Sequence, residues 1–313
     1  MATASRERHF VVAASGPFEL TSILDTLAPG DANALREGRV FIDGQRANAG
    51  ALSVAVGSRV TWVAARTANT TSDLGFAILD RYEDLLVVEK PAAWISEPDR
   101  TGRTTSLRER VAEELGVLRV HIVTRLDAGV SGLVLVAVGN AACQYASKIQ
   151  QQGQLRKHYL ALAVGEVDED AEWNQPVDGT KACSLCHPLG VSNLVRFSTQ
   201  LQCPVSLLRV SAITGRHHQI RVHSAKNNHP LLGDRRYGGP SRFTMLNGTV
   251  RTLARPLLHA WKLEVHLPGR IWTTFCNAPA DMRTLWADLG GPECWPECAN
   301  SAAISQPSAV IEH

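Results

Sequence analysis

The sequence has little net charge, no long apolar run and no internal repeat. Its 32 Lys and Arg residues nearly balance its 30 Asp and Glu residues, so the total charge neither requires nor excludes a nucleic-acid partner. No stretch approaches the roughly 20 apolar residues of a membrane-spanning helix. The start of the chain also lacks the apolar core of a secretory signal. We therefore expect a protein that makes no contact with a membrane.

Cysteine is sparse, and its seven copies are an odd number scattered through 313 residues. Because no leader is evident, we expect a reducing, cytoplasmic compartment, although the short basic start is also compatible with an organellar address. Two close pairs, Cys183 with Cys186 and Cys294 with Cys298, have a spacing that could form a tetrahedral zinc site. Separate reduced thiols are the alternative.

Residues 1–78 have the pattern of one small module with flanking segments. Apolar residues recur at helical spacing between residues 20 and 27, and a short second helix is predicted through residues 34–35. The Asp-Gly pair at residues 43–44, between extended segments, predicts a hairpin, and residues 60–63 predict a closing strand. The predicted divisions are an N-terminal segment, the module and a polar linker, at residues 1–15, 16–65 and 66–78.

The region after the linker predicts a larger domain of the α+β class. Ser106 and Glu109 form the capping box of a helix that ends at Gly116. Few long helices separate the strands, which favours a mixed, largely antiparallel sheet. The main predicted strands are residues 85–88, 121–123, 133–138, 159–164, 207–212, 219–223 and 263–267. We expect this domain over residues 79–290, followed by a loose tail over residues 291–313.

An aspartate between two apolar strands is the first candidate for chemistry. Asp127 follows Arg125 within residues 124–132, a segment containing Gly and Ser that precedes a strongly apolar run. Loops at strand ends are where a rigid scaffold presents reactive groups. Local composition alone favours a surface Arg–Asp pair in a turn, so other segments must decide.

A basic segment, residues 214–223, is the second candidate. Strand alternation would place Gln219, Arg221 and His223 on one face, with Ile220 and Val222 on the other. The surroundings form a basic stripe in a nearly neutral protein, which favours phosphate binding over a merely solvated face. The charged residues from 209 to 242 are Arg209, Arg216, Arg221, Lys226, Arg235, Arg236 and Arg242, against Asp234 alone.

Histidine is concentrated in the same region, at His217, His218, His223 and His229. The spacing matches no metal-site pattern, and no carboxylate is interleaved before residue 234. We therefore predict no metal there and expect these rings to bond with RNA or with the backbone.

Tyr159 is the third candidate, because two basic residues precede it at the start of an apolar strand, residues 156–165. A tyrosine can stack on a nucleobase and place its hydroxyl at the ring edge. An ordinary core tyrosine at a strand start is the alternative.

Together these segments resemble the RluA-type family of pseudouridine synthases. The family pattern contains His-Arg-Leu-Asp-x-x-Thr-Ser-Gly, Lys-x-Tyr-x-Ala, Gly-Arg-x-His-Gln-Ile-Arg-Val-His and His-Pro-x-x-Gly-Asp. Matching segments occur here in that order. Residues 87–91 resemble its early Val-x-x-Lys-Pro strand, and residues 255–260 its late Leu-His-Ala segment. Several matches in the family order are far more specific than one isolated match. Thr124 and Val130 depart from the pattern, which has His and Thr there, but neither is expected to touch the reacting atoms.

The resemblance implies an isomerase that converts uridines in structured RNA to pseudouridine, with no cofactor and no metal. It predicts three catalytic residues: Asp127 as the carboxylate, Arg221 as the cation paired with it, and Tyr159, whose ring packs on the uracil and assists loss of the C5 proton. Arg125 would fill the space of the flipped-out uridine, and Ile220 would form the opposite apolar wall. Further RNA contacts are expected from Gln219, Arg216 and His218.

The N-terminal module is similar to the αL RNA-binding domain first seen in a ribosomal small-subunit protein. The similarity lies in residues 34–44, closed by residues 57 and 60. Its candidate phosphate contacts are Arg36, Arg39 and Arg46. The usual Ser-Arg pair ahead of the second helix is replaced by Asp-Ala at residues 31–32. This domain suits a large structured substrate, so ribosomal RNA is favoured over transfer RNA. We expect a monomer.

Two other functions are alternatives to this one. A nucleoside or glycoside hydrolase usually needs two carboxylates that flank the bond, and Asp84, Glu89 and Asp234 offer no convincing partner for Asp127. An inert RNA-binding or ribosome-assembly protein would explain the two departures from the family pattern. It would not explain why the reactive carboxylate and its partners are all present.

Overall fold

The structure is a computed structural model, and it describes residues 7–12, 18–27, 35, 40–47, 53–63, 75–98, 106–197, 202–245 and 247–296. No helix among these residues is both long and apolar enough to cross a membrane. The chain divides into two compact units, Met1–Asp73 with Arg110–Arg119, and Leu74–Glu109 with Val120–His313.

The first unit contains short strands around a small apolar core and the helix α1 (Leu20–Leu27). Its strands are β1 (Glu7–Val11), β2 (Phe18–Glu19), β3 (Val40–Ile42), β4 (Gln45–Arg46), β5 (Ser53–Val54) and β6 (Arg59–Val63). They form a sheet of order β1-β6-β3-β4 and a separate β2-β5 pair. Asp43 and Gly44 between β3 and β4 both have positive φ, 49° and 78°, as a two-residue hairpin turn requires. The predicted α1 and hairpin are confirmed. The predicted second helix lies outside the described residues, apart from residue 35.

The second unit is dominated by strands. In chain order they are β7 (Ala77–Tyr82), β8 (Leu85–Lys90), β9 (Val120–Ile122), β10 (Ser131–Val138), β11 (Leu155–Val164), β12 (Ala171–Trp173), β13 (Ser184–Val191), β14 (Val195–Arg196), β15 (Gln202–Cys203), β16 (Val205–Ala212), β17 (Arg242–Thr244), β18 (Val250–Thr252), β19 (Leu258–Leu267) and β20 (Arg270–Phe275). The helices of this unit are α3 (Asn140–Gln151), α4 (Gln219–Lys226) and α5 (Ala280–Asp288), with a 3₁₀ turn at Arg235–Tyr237. Helix α2 (Leu107–Leu115) begins in this unit, and its residues from Arg110 onwards belong to the first unit. The Ser106 hydroxyl accepts the Glu109 backbone N–H at 3.2 Å, which confirms the predicted cap of α2.

Ten strands form one mixed sheet with the path β12-β13-β16-β11-β19-β10-β8-β7, with β20 beside β19 and β9 beside β10. Only β10 and β19 pair in parallel among the named strands of the described residues; the other pairs are antiparallel. A small satellite sheet has the order β15-β14-β17-β18. The predicted α+β class, with a mixed and largely antiparallel sheet, is confirmed.

The large sheet is covered by helices, which makes it a rigid platform for the loops at its strand ends. Every residue of β10 is buried, as its unbroken apolar sequence predicts for a strand covered on both faces. Helix α3 contributes Ala146 and Ile149 to one apolar cluster with Leu133 and Leu135. Helix α5 contributes its own apolar residues to a second cluster, which includes residues of β11 and β16.

The predicted strand over residues 219–223 is wrong, because these residues begin helix α4. Four of the five buried residues of this helix are polar or charged, so its buried face shows no apolar helical period in the sequence. The prediction that Gln219, Arg221 and His223 share one face is also wrong. Gln219 and His223 lie one helical turn apart and both bond the Ser184 hydroxyl, at 2.9 and 3.0 Å. Arg221 lies about 200° around the axis from Gln219 and projects elsewhere.

The predicted loose tail is wrong for residues 291–296, which are described and packed. Cys294 and Trp295 pack on the apolar cluster that contains α5, and the Trp286 indole N–H donates to the Pro292 carbonyl at 2.8 Å. Apolar burial therefore extends past the expected end of the domain. Residues 297–313 lie outside the described residues.

Gly132 allows the close approach of β10 and β19, and replacing it with alanine should be costly. Its φ is 114°, and a Cβ there would lie 2.2 Å from the Ala260 carbonyl oxygen. We expect Gly132→Ala to lower the free energy of unfolding by about 3 kcal/mol or more. Gly153→Ala is the matched control, because residue 153 also has a positive φ but nothing within 4 Å, and it should cost about 1 kcal/mol. Equal losses in urea denaturation would contradict this account.

Candidate active site

The loop that carries Asp127 runs from the end of β9 to the start of β10. A serine from another segment of the chain holds it in place. The Ser96 hydroxyl accepts the Leu126 backbone N–H at 2.9 Å and donates to the Leu126 carbonyl at 2.8 Å. Both groups of this pair are buried. The residue before Asp127 is therefore fixed by two buried hydrogen bonds to a single side chain.

The two departures from the family pattern are built into the core. The Thr124 hydroxyl accepts the Leu135 backbone N–H at 2.8 Å and is buried, so it ties the loop to β10. Val130 is 1% exposed. Both residues line the cleft that surrounds Asp127, but they are almost fully buried, so they support the loop from inside.

Asp127 lies half-buried with one oxygen between two nitrogen groups. Its Oδ2 is 3.2 Å from Nη1 of Arg221 and 3.6 Å from Nε2 of His218. The side chain keeps 22% of its surface exposed. The carboxylate is thus oriented by a cation and remains open to a substrate.

Arg221 bridges two carboxylates. Its Nε and Nη2 donate to Asp234 at 2.7 and 2.8 Å, while its Nη1 donates to Asp127. Burial alone would lower the pKa of the Arg221 guanidinium, but the hydrogen bonds and charges of Asp234 and Asp127 raise it. Asp234 is 1% exposed. A planar guanidinium held by one buried carboxylate can therefore present a fixed N–H to the other.

His218 is fixed beside Asp127 by its neighbours. Its backbone is left-handed, with φ 54°, at the residue before α4. Its Nδ1 lies 2.9 Å from the Tyr237 hydroxyl, and its ring stacks on His217 with centroids 3.7 Å apart. Burial lowers the pKa of His218, while the Asp127 carboxylate opposes that shift. The neutral ring is therefore the form that this position favours near pH 7.

An open cleft of about 630 Å³ surrounds Asp127 and combines apolar walls with cations. Tyr159 on β11 and Ile220 on α4 are almost fully buried at its edge, and Leu258 also lines it. Burial lowers the pKa of the nearby Lys157 ammonium, and Asp127 opposes that shift. The cleft therefore offers a flat apolar surface next to a carboxylate and several positive charges.

Three sequence-distant segments meet at this cleft. The predicted site residues that line it are Arg125, Asp127, Tyr159, Arg216, His218, Gln219, Ile220 and Arg221. The cations Arg125 and Arg216 are exposed there. The candidate contacts of the N-terminal module are not tested in this way, because Arg36 and Arg39 lie outside the described residues and Arg46 is known only as part of β4.

Gln219 differs from its predicted role as an RNA contact. It is 4% exposed, its oxygen accepts from Thr214 and Arg216, and its nitrogen donates to Cys183 and Ser184. These bonds use the side chain inside the protein, so Gln219 holds the loop at residues 214–216 against β13. His223 and His229 likewise bond backbone carbonyls.

One group of side chains could hold a metal ion, among the described residues. Asp127, His217 and His218 each offer a ligand atom, all within 4.8 Å of one another. The carboxylate comes from a distant segment, so sequence spacing could not have shown this. Arg221 already neutralises Asp127 and would repel a cation, and Tyr237 occupies one nitrogen of His218. We therefore assign no metal to this group.

The predicted cysteine pairs do not converge in the part of the chain that the structure describes. Cys186 is buried in β13, whereas Cys183 precedes that strand and lies 3.6 Å from a Glu172 oxygen. Cys294 packs near Gly190. Cys298 lies outside the described residues. The described cysteines are free thiols.

Three residues that the sequence analysis did not assign to the site hold the neighbours of Asp127 in place. Asp234 and Tyr237 hold Arg221 and His218. Asp234 lies in the family's His-Pro-x-x-Gly-Asp motif, but the sequence alone showed only a turn there. Nothing in the sequence indicated a role for Ser96, because a single serine outside any motif is not specific for one function.

His259 fixes the far end of the loop and should make the fold sensitive to acid. It is fully buried, with Nδ1 2.9 Å from the Ser131 hydroxyl and Nε2 3.2 Å from the Cys276 sulfur. Burial lowers the pKa of His259 to about 4. The unfolded chain binds this proton near pH 6.5, so stability should fall by up to about 3 kcal/mol as the pH drops from 6.5 towards 4.

The measurement is the free energy of unfolding against pH for the wild type and His259→Gln. Other buried histidines also contribute to the slope of the free energy of unfolding against pH. The contribution of His259 is therefore the difference between the wild type and the variant. The variant should be less stable near pH 7 and should lose much of the dependence between pH 6.5 and 4. Parallel curves would contradict the assignment.

Comparison with known proteins agrees with this geometry. Residues 84–226 match the family model described as RNA pseudouridylate synthase. The chain is 32% identical over 249 residues to ribosomal large subunit pseudouridine synthase D of Nitrosomonas europaea, covering 73% of this chain and 71% of that protein. It is 31% identical over 211 residues to the dual-specificity RNA pseudouridine synthase RluA of Pasteurella multocida, covering 64% and 91%.

The fold is also that of solved pseudouridine synthases. Human RNA pseudouridylate synthase domain containing 1 aligns with a TM-score of 0.53 and 21% identity, over 74% of this chain and 94% of that one. Human RNA pseudouridylate synthase domain containing 4 aligns with a TM-score of 0.50 and 19% identity, over 69% and 94%. The fold and the sequence relatives define an RNA-modifying isomerase, a pseudouridine synthase. Within that class, the chain belongs to the RluA-type family.

Proposed function

We propose that this enzyme isomerises uridines of large-subunit ribosomal RNA, with Asp127 as its catalytic carboxylate acting on a base turned out of the RNA. The observation that carries the proposal is the position of Asp127. It is partly exposed in a cleft, and its oxygen lies 3.2 Å from an arginine that a buried second carboxylate holds in place.

The reaction needs neither an oxidant nor a metal. The C1′–N1 bond breaks, the uracil turns, and C1′ bonds to C5; C5 loses its hydrogen as a proton, and N1 gains one. A carboxylate can serve this sequence by attacking C1′, by attacking the ring or by removing a ribose proton. All three roles require a carboxylate in contact with the nucleotide, and Arg221, 3.2 Å from the Asp127 oxygen, holds that carboxylate in a fixed orientation.

The cleft suits isomerisation better than hydrolysis. A hydrolase commonly uses a second carboxylate as acid or base. Asp234 is fully engaged by Arg221, and Glu97 at the cleft edge pairs with Arg108 at 3.0 Å. Asp127 is thus the carboxylate best placed to act, and packed apolar walls would keep water from the detached base.

A single flipped nucleotide fits the dimensions and chemistry of the cleft. Its volume of about 630 Å³ lies within the roughly 300–1,000 Å³ of small-ligand sites. A base within a duplex cannot be reached without extrusion. Arg125 is exposed at the rim, where its planar guanidinium can fill the space that the uridine leaves.

Tyr159 packs against the uracil in this proposal, with Ile220 as the opposite wall. Burial raises the pKa of the Tyr159 hydroxyl, and the Asp127 charge adds to that shift. The hydroxyl therefore stays protonated at neutral pH. It can donate a hydrogen bond to the base, and removal of the C5 proton by a phenolate is disfavoured.

Ribosomal RNA is the proposed substrate class for two reasons. A relative is named ribosomal large subunit pseudouridine synthase D, and the N-terminal module suits a large folded RNA. We take residues 16–65 as an αL-type RNA-binding domain with Arg36, Arg39 and Arg46 as phosphate contacts, ahead of a linker at 66–78. We also propose a monomer that works in the cytoplasm, where its free thiols would stay reduced.

The test is tritium release from RNA labelled at uridine C5. Unmodified transcripts of large-subunit ribosomal RNA and of a transfer RNA set are incubated separately with the full chain. We expect release from the ribosomal transcript and little from transfer RNA. Release from transfer RNA alone would overturn the substrate class, and release from neither would favour an inert RNA-binding protein.

A further inference from the structure

Basic residues are concentrated in one part of the chain to an unusual degree. Residues 191–260 contain ten Lys and Arg residues and a single acidic residue, Asp234. The whole chain has a net charge of +2, so the rest of it is net acidic. Selection for solubility has no reason to collect positive charge in this way, whereas a polyanionic partner does.

Several of these cations are used within the protein. Arg221 binds two aspartates, Arg251 pairs with Asp288, and Arg255 pairs with Asp281. Six others are exposed and have no carboxylate within salt-bridge distance among the described residues, but Arg216 and Lys226 donate to backbone carbonyls. Four remain for a partner. They are Arg196, Arg235, Arg236 and Arg242, and we call them the arginine face.

The satellite sheet places two of these arginines side by side. Arg196 on β14 pairs with Thr244 on β17, and Arg242 lies two residues before Thr244 on the same face of its strand. The intervening Phe243 is buried on the other face. The exposed side of the sheet therefore carries two neighbouring guanidinium groups.

Contacts connect this face to the active site within the same compact unit. The Tyr237 hydroxyl bonds His218, which lies 3.6 Å from Asp127. The guanidinium of Arg236 lies 5.6 Å from the Tyr237 ring, and Arg235 donates to the Ser241 hydroxyl at 2.8 Å. Ser241 directly precedes Arg242. A strand of RNA whose uridine occupies the cleft could continue over these residues.

We propose that the arginine face binds the phosphate backbone of the RNA that flanks the target uridine, and so supplies affinity without taking part in the chemistry. The inference rests on the proposed function. Arginine presents a planar fork that matches phosphate oxygens, and in the part of the chain that the structure describes no carboxylate lies within salt-bridge distance of the face to repel them. The face would recognise the charge of the RNA backbone and not the bases. It would therefore bind RNA of any base sequence, provided that the RNA extends from the active site as far as the face.

The test compares Arg196→Gln/Arg242→Gln with Arg156→Gln/Arg270→Gln. The control pair removes the same charge from exposed arginines outside the face. Tritium release is measured on the large-subunit ribosomal RNA transcript over a range of salt concentrations. For the face variant we expect an unchanged kcat and a KM that rises roughly tenfold, with the salt slope of log affinity smaller by about 1.5 for two lost phosphate contacts. The control should match the wild type.

A second arm uses fragments of that transcript trimmed progressively around the modified uridine. The penalty of the face variant should vanish once the flank is too short to reach the satellite sheet. An unchanged KM and salt slope overturns the proposal, and an acidic protein surface then becomes the better partner. An equal loss in the control variant also overturns it. If the wild type releases no tritium, the proposed function fails, and binding of a 30-base-pair RNA duplex still decides whether the face contacts RNA.

Discussion

Asp127→Asn is expected to reduce tritium release by about a thousandfold or more while leaving RNA binding within a few-fold of the wild type. Asparagine keeps the size of the side chain and can still accept from Arg221, but it carries no negative charge. It can neither attack carbon nor take a proton. Asp234 still neutralises Arg221, so the fold should survive.

The control for this variant is Asp84→Asn, which removes an exposed carboxylate that lies 3.8 Å from Arg81. It should leave both activity and stability near those of the wild type. Asp127→Asn activity above about a tenth of the wild-type rate would mean that the carboxylate is not part of the chemistry.

Arg221→Met should damage both the fold and the activity, because it leaves Asp234 as a buried charge without a partner. Asp234 is 1% exposed. Removal of one member of a buried ion pair typically costs about 3–5 kcal/mol. Asp127 loses its oriented donor at the same time, so tritium release should fall at least about a hundredfold even below the unfolding temperature.

A double variant separates these two effects. Arg221→Met/Asp234→Asn removes the stranded charge, so it should recover part of the free energy of unfolding but none of the lost activity. Arg221→Lys should be intermediate in stability, since an ammonium cannot bond Asp234 through two parallel N–H groups. Full stability of Arg221→Met in urea denaturation would show that the bridge is not needed for the fold.

Much of the fold could be predicted from local sequence. The continuous apolar run of β10, the Asp-Gly turn after β3 and the capping box of α2 each have one preferred structure. Helix α4 could not be predicted in the same way. Its first five residues alternate as a strand would, and the burial that makes them a helix depends on β13 and on the loop that carries Asp127.

The candidate site could be predicted only in part for a related reason. Asp127, Tyr159 and Arg221 stand in motifs that the family resemblance brings together, and the structure places all three at one cleft. Asp234 and Ser96 act through contacts that span 13 and 30 residues of the chain. Such partners follow from the tertiary arrangement, and no periodicity or spacing in the sequence shows them.

The most direct test of the central proposal is a balance of products from one labelled RNA. Wild-type protein is incubated with large-subunit ribosomal RNA transcribed with tritium at uridine C5, and tritium, pseudouridine and free uracil are all counted. If one carboxylate isomerises a base kept away from water, each tritium released should correspond to one pseudouridine, with no free uracil. Free uracil in place of pseudouridine, or the same pseudouridine yield from Asp127→Asn, would contradict the account.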